Sequence, residues 1–413
     1  MRYQVKLKRT FRSLSIRNYR LYFFAQIIST SGLWIQLVAE NWLVVQLGGS
    51  GLMLGITTAI QFTPLLFLSV YGGVLVDRWN KHTLLMFTQI SSSILALLLG
   101  ILALTGSVQI WMIWIIAFLL GCVNALDTPG RQVFTRELVG PKHLTNAVAL
   151  NNTISTSGRV IGPVIGAILI SISEVGVCFL INAASYIAVI IALLKINKSQ
   201  LQVESVVTRK HGQVKEGLIH IWNHPKLRTT LLIMFITATF GLNFQVLLPL
   251  FTSQTFQQSG EWYGLLMSSL GIGSVIGSLL IASWKDPTVK RVALLSTVFG
   301  ITIVAVALSP TLPVAFITVG LMGVGSSLFL TACSGCLQLN AGDGMSGRVM
   351  AMYYVAFLGT APIGGTAVGW IAEIWGPRSA FALSAIACMA ASGFAFFGPN
   401  KYKTNMKKTE TRA

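Results

Sequence analysis

The sequence predicts an all-α membrane protein of twelve transmembrane helices in two pseudo-symmetric six-helix bundles. Three observations lead there. Of 413 residues, 54% are hydrophobic and 10% charged, with a mean hydropathy of +0.71, which leaves too few polar side chains to cover a soluble globule of this length. Twelve apolar runs approach the roughly 20 residues an α-helix needs to cross a hydrocarbon layer about 30 Å thick. The basic residues fall in alternate loops, the asymmetry that sets membrane orientation.

The arm to residue 20 carries Arg2, Lys6, Lys8, Arg9, Arg12, Arg17 and Arg20 without an acidic residue, which holds it in the cytoplasm. The first span covers about residues 19–46 and ends in a Gly48-Gly49-Ser50-Gly51 turn. The second covers about 52–76 and contains Pro64; the third covers about 83–104; after a turn at 105–109 the fourth runs to about 125. A polar loop at 127–145, with Arg131, Arg136 and Lys142, leads to spans at about 146–172 and 175–194. Residues 195–228 are rich in Lys and Arg and too polar to cross, so they read as a cytoplasmic linker between an N-terminal half, 1–194, and a C-terminal half, 229–398. Spans seven to twelve read as about 229–251, 262–284, 292–308, 313–339, 348–372 and 379–397, followed by a basic cytoplasmic tail at 399–413.

All thirty Lys and Arg lie in the termini or the even-to-odd loops except Arg159, inside the fifth span, and Arg378, in the last outer loop. Both termini are therefore expected in the cytoplasm of an inner or plasma membrane. The charge of +18 suggests a nucleic-acid binder, but these residues are not gathered in one basic domain, so no nucleic-acid partner is expected. The first apolar run is too long, and too polar in its middle, for a signal-peptide core. The five cysteines all sit in apolar runs, and Cys333-x-x-Cys336 reads as small-residue packing rather than redox or metal chemistry. His220-x-x-x-His224 has a metal-compatible spacing, but Pro225 marks a helix boundary there, and no metal is expected. Without a phosphate-cradling glycine loop or a nucleophile triad, neither ATP-driven transport nor an enzyme is indicated, and no cofactor is expected.

Gly162-Pro163-x-x-Gly166 in the fifth span has a counterpart in Ala361-Pro362-x-x-Gly365 in the eleventh, at the equivalent place of the second half. Repeated halves joined by a cytoplasmic linker are a transporter architecture. Between spans two and three, Gly73-Val74-Leu75-Val76-Asp77-Arg78-Trp79-Asn80-Lys81 follows the pattern G-x-L-x-D-R-x-x-[KR]. With Trp34-x-Gln36-x-Val38-Ala39-x-x-Trp42, Asp127-x-Pro129-x-Arg131-Gln132, Arg159-x-x-Gly162-Pro163, Glu216-Gly217, His224-Pro225-x-Leu227-Arg228 and Gly347-Arg348-Val349-Met350, the chain resembles the macrolide-efflux and enterobactin-exporter-like branch of the major facilitator superfamily. Departures are Asn80 for a usual glycine, His82 for a second strong base, Ala117 for an arginine associated with proton coupling, and Ala167 for a second helix-five glycine. They leave the family in place and the coupling mechanism open.

Glu40 is the one carboxylate the sequence places well inside a span, where a charge costs about 2.5–3.5 kcal/mol. Gln26, Ser29, Gln36 and Glu40 share one face of the first helix, so this polar stripe is a candidate proton or substrate site, with a structural pair or an exposed carboxylate near the outer helix end as the alternative for Glu40. Arg159 needs a partner; Glu40 is a candidate although about 9 Å nearer the outside, and backbone carbonyls or water are the alternative. Gly158, Gly162, Pro163 and Gly166 thin one side of helix five for close packing, which the resemblance implies is against the second half. The resemblance also implies a cytoplasmic gate of Gly73, Asp77, Arg78, Lys81 and Arg348, with Asp77 meeting the positive start of helix eleven. Asn243, Gln245, Gln338, Tyr353, Tyr354 and Phe357 are cavity candidates suited to a bulky amphipathic solute. The function expected is a monomeric secondary transporter in the lipid bilayer, exporting small amphipathic molecules, such as a drug or siderophore, in exchange for protons. Proton-coupled uptake of a metabolite and a non-transporting sensor or scaffold on the same fold are the alternatives.

Overall fold

The computed structural model of the chain describes residues 11–202, 213–282, 284, 287–342 and 345–397; for 69–78, 213–215, 394, 396 and 397 it describes the backbone alone. Among the described residues there is no strand. The helices are α1 (Arg17–Gln46), α2 (Gly51–Arg78), α3 (Lys81–Leu104), α4 (Ile110–Ile172), α5 (Val175–Lys195), α6 (Gln213–Asn223), α7 (Pro225–Gly241), α8 (Phe244–Leu250), α9 (Gly260–Ala282), α10 (Val289–Ala307), α11 (Leu312–Asn340), α12 (Ser346–Leu358) and α13 (Ala361–Phe397). Ten stretches are long and apolar enough to cross a membrane, and two of these, 63 and 48 residues long, far exceed one crossing.

Glycines in the left-handed region break both long helices. Gly140 in α4 has φ 67° and ψ 173°, and Pro141 follows it, so a residue without a Cβ ends one helix and a ring with a helical φ begins the next. Gly376 before Pro377 in α13 repeats the device at φ 82°. The polar loop expected at 127–145 is thus helix on both sides of Gly140. Hydrophilic composition suggested a loop, but Asp127 and Arg131 satisfy each other one turn apart along the helix. At the start of α3, Asn80 in place of glycine caps the helix, its Oδ1 accepting from the Thr83 N–H at 3.2 Å. Between α7 and α8 the helix opens at Asn243, whose Nδ2 donates to the Thr239 carbonyl at 2.7 Å, and a π-helical turn, Phe251–Thr255, follows.

The chain divides into two compact units. The first holds residues 1–48, 60–208 and 260–268; the second holds 49–59, 209–259 and 269–413. The start of α2 therefore belongs with the second unit, where a Cβ on Gly55 would meet the Gly365 carbonyl and one on Gly51 the Gly369 carbonyl. The start of α9 belongs with the first, where a Cβ on Gly264 would lie 2.9 Å from both the Pro163 carbonyl and the Ala167 Cβ. These are the repeated Pro-x-x-Gly segments, and each receives the tip of one helix. Glycine on the incoming tip lets backbones meet, and it explains how Ala167 is accommodated where the family pattern has glycine. Separate apolar cores fill the units, one around Tyr19, Tyr22, Phe134 and Leu193, the other around Met234, Phe329, Leu337 and Tyr353.

Candidate functional site

The first unit holds a buried ionic cluster. Asp127 on α4 is 2% exposed and forms an ion pair with Arg131 of the next turn. Its Oδ1 also accepts from Thr88 Oγ1 at 2.7 Å and Gln89 Nε2 at 2.9 Å, both on α3. Arg131 Nη1 donates to Gln26 Oε1 on α1 at 3.0 Å. Three helices are thereby tied through one carboxylate and one guanidinium, with nearly every charged atom hydrogen-bonded, the condition under which buried charge is tolerated. Gln89 Oε1 has no hydrogen-bond partner among the described residues, so the cluster keeps one free acceptor. Sequence reasoning placed Asp127 and Arg131 in a loop and missed the cluster; the available signal was an acid and a base four residues apart at the end of an apolar run.

The polar stripe of the first helix is real as a stripe, but it faces protein. Gln26, Ser29, Gln36 and Glu40 are all buried. Gln36 Oε1 accepts from Asn182 Nδ2 on α5 at 2.5 Å, and Gln26 is taken by Arg131. Glu40, 5% exposed, has the Gln36 side chain as its hydrogen-bonding neighbour, and among the described residues no cationic side chain pairs with it. Arg159, its expected partner, instead lies over the Trp34 ring at 5.4 Å from the centroid. Trp34 and Glu40 are six residues apart on α1, about 9 Å along its axis and about 240° around it.

The glycine stripe closes chiefly on α1. A Cβ on Gly158 would meet Thr30 Cγ2 at 2.8 Å, one on Gly162 would collide with Trp34 Cβ, and one on Gly166 would find ordinary contact with Ile35 and Val38. Gly158, Gly162 and Gly166 thus face α1, while Pro163 and the neighbouring Ala167 meet Gly264 at the start of α9, a helix of the C-terminal half. Helix one is wide at Trp34, and only residues without a Cβ fit beside it.

Of the expected gate, the side chains of Gly73, Asp77 and Arg78 lie outside the described residues. Lys81 Nζ donates to the Trp79 carbonyl at 2.9 Å. Arg348 pairs with Glu216 of α6 at 3.0 Å, with Gly217 backed against it. Among the cavity candidates, Tyr353 is core, stacked on Phe357 at 6.2 Å with its hydroxyl 3.5 Å from the Leu330 carbonyl, and Asn243 is buried on its own helix. Gln245 is half-buried; Gln338 and Tyr354 are exposed. Tyr353 is therefore corrected from cavity lining to packing, because its ring is stacked in the core and its hydroxyl is spent on a backbone carbonyl, while Asn243 gives its Nδ2 to the Thr239 carbonyl. Arg378, the outer-loop exception to the charge pattern, donates to the carbonyls of Ala307 at 3.1 Å and Ser309 at 2.7 Å, finishing the end of α10.

The profile of the family described as transmembrane secretion effectors matches residues 8–411. The chain is 24% identical over 393 residues to the staphyloferrin A transporter of Staphylococcus aureus, covering 94% of this chain and 98% of that one. It is 25% identical to the multidrug efflux pump Tap of Mycolicibacterium fortuitum, covering 92% and 95%. In fold it is similar to a bacterial homologue of the human lysosomal transporter Spinster, with a TM-score of 0.73 at 15% identity, covering 94% and 97%.

Proposed function

From the premise that the chain belongs to the transmembrane secretion effectors of the major facilitator superfamily, a family of membrane transporters, we propose that it exports small amphipathic molecules of drug or siderophore type in exchange for protons. The relatives support the direction, since they include a siderophore transporter and a multidrug efflux pump. Glu40 carries the proton-coupling part of the reading. A carboxylate inside a span costs about 2.5–3.5 kcal/mol, a cost that marks functional positions. Asp127 is paired with Arg131. Glu40 faces neutral Gln36, and taking up or releasing a proton there breaks no salt bridge. An antiporter needs such a group, one whose protonation differs between the two access states and so links proton movement to cargo movement. Both termini are cytoplasmic in this reading, and the protein works as a monomer in the cell membrane.

The test is flux into everted vesicles under an imposed proton gradient, with a panel of amphipathic compounds and chelators. Wild type is expected to accumulate one class in a pH-dependent manner, and Glu40→Gln to bind that compound while losing gradient-driven accumulation. Undiminished pH-driven uptake by Glu40→Gln removes Glu40 as the coupling group.

A further inference from the structure

The short helix α6 is built inside out for a segment in water. Its tethers to the protein are polar: Glu216 pairs with Arg348, and His220 Nε2 donates to the Ala341 carbonyl at 2.8 Å. Gly217 and Ile221 are buried on the same side. The outward side presents Leu218, Ile219 and Trp222, exposed at 51%, 51% and 60%. Three large apolar side chains held outward on a tethered helix call for an apolar medium. Aliphatic residues with a tryptophan, bordered by Lys and Arg, make up the face of a helix lying at the boundary of headgroups and acyl chains.

Beside this face runs a groove of about 180 Å³, walled by Leu218 and Trp222 of α6, Leu232 and Phe235 of α7 and Val355 of α12. Its charged member is Arg228, whose guanidinium sits 5.6 Å from the centroid of the Trp222 ring. Lys226, two residues earlier in the chain, is exposed. A slot with apolar walls and a cation at its mouth matches an acyl chain that carries a negative headgroup. Such molecules already occupy the leaflet next to α7, which is part of a membrane-crossing stretch.

We propose that the groove between α6, α7 and α12 is a binding site for an anionic phospholipid, with an acyl chain against Trp222 and Phe235 and the phosphate at Arg228. This site is separate from the transport reading and stands or falls without it.

The experiment uses the full chain in nanodiscs of phosphatidylcholine with or without phosphatidylglycerol, with retained lipid counted by native mass spectrometry. Wild type is expected to prefer phosphatidylglycerol about fivefold, the effect of one cation facing an anionic headgroup. Arg228→Gln is expected to lose that preference and Arg228→Lys to keep most of it. In parallel, Trp222 emission, taken as wild type minus Trp222→Phe, is expected to be quenched by brominated acyl chains more than by aqueous acrylamide. The proposal is overturned if Arg228→Gln keeps the preference, if acrylamide is the better quencher, or if the face is found covered by a second copy that dissociates on Leu218→Ser.

Discussion

Replacing Arg131 by Met should be among the most damaging single changes in the first unit, and worse than neutralising its partner. Asp127 is buried, and it would keep the Thr88 and Gln89 hydrogen bonds but lose its counter-charge. Leaving a buried charge uncompensated costs about 3–5 kcal/mol. The Arg131 side chain is 30% exposed, so solvent screens the pair and the lower end, about 3 kcal/mol, applies. Gln26 Oε1 loses its donor as well, adding up to about 1 kcal/mol. In Asp127→Asn, by contrast, the amide oxygen still accepts from Thr88 and Gln89, and the partly exposed Arg131 keeps Gln26 and water. Its cost should stay at about 1–2 kcal/mol. For a unit of this size each kcal/mol lowers the melting temperature by about 2–4 °C. Arg131→Met should therefore melt about 6–16 °C lower, and Asp127→Asn about 2–8 °C lower. The double variant should recover part of the loss, because no unpaired charge remains. The assay is thermal unfolding of the purified full chain in detergent, followed by monodispersity on size exclusion. An Asp127→Asn variant as unstable as Arg131→Met would refute the claim that the buried carboxylate, rather than the helix itself, is what Arg131 supports.

Gly162→Val should abolish accumulation of folded protein in the membrane, since even a Cβ there collides with Trp34, whereas Gly166→Ala should be tolerated because its Cβ would sit 3.6 Å from Ile35. Immunoblotting of membranes against size-exclusion profiles separates the two. Arg378→Gln removes two hydrogen bonds to the carbonyls ending α10 and should cost about 1 kcal/mol, visible as a melting shift of a few degrees with transport retained. Glu216→Gln should loosen α6 and speed proteolysis within residues 213–223, with little effect on the melting of the rest. Equal cleavage rates would show that His220 and Ile221 alone hold the helix.

Chain order made some of this structure readable and hid other parts. Helix α1 was legible because an apolar run bounded by a basic arm and a glycine turn has one solution in a bilayer. The glycine face of the fifth span, the latter part of α4, was legible as a packing surface, since missing side chains matter only where something comes close. Its partner was not, because Trp34 and the start of α9 lie far off in sequence. Asp127 was misread because charge in a sequence looks like a loop until a counter-charge one turn away and two donors on α3 are seen to enclose it. The same applies to Tyr353, whose ring is indistinguishable from a cavity wall until its stacking on Phe357 is known.

The sequence by itself determined the membrane class, the presence of many apolar crossing segments and the family. These depend on hydropathy, length and charge placement, which are local sums along the chain. Tertiary structure alone decided that the stripe of helix one faces protein, that Arg159 rests on Trp34 instead of Glu40, and that Arg348 answers to Glu216. Those pairings turn on which helix faces meet, and a rotation of about 100° per residue carries neighbours in sequence to opposite sides of a helix. Glu40 stands out for the same reason: only the fold shows that it is buried beside Gln36 and that no cationic side chain among the described residues pairs with it.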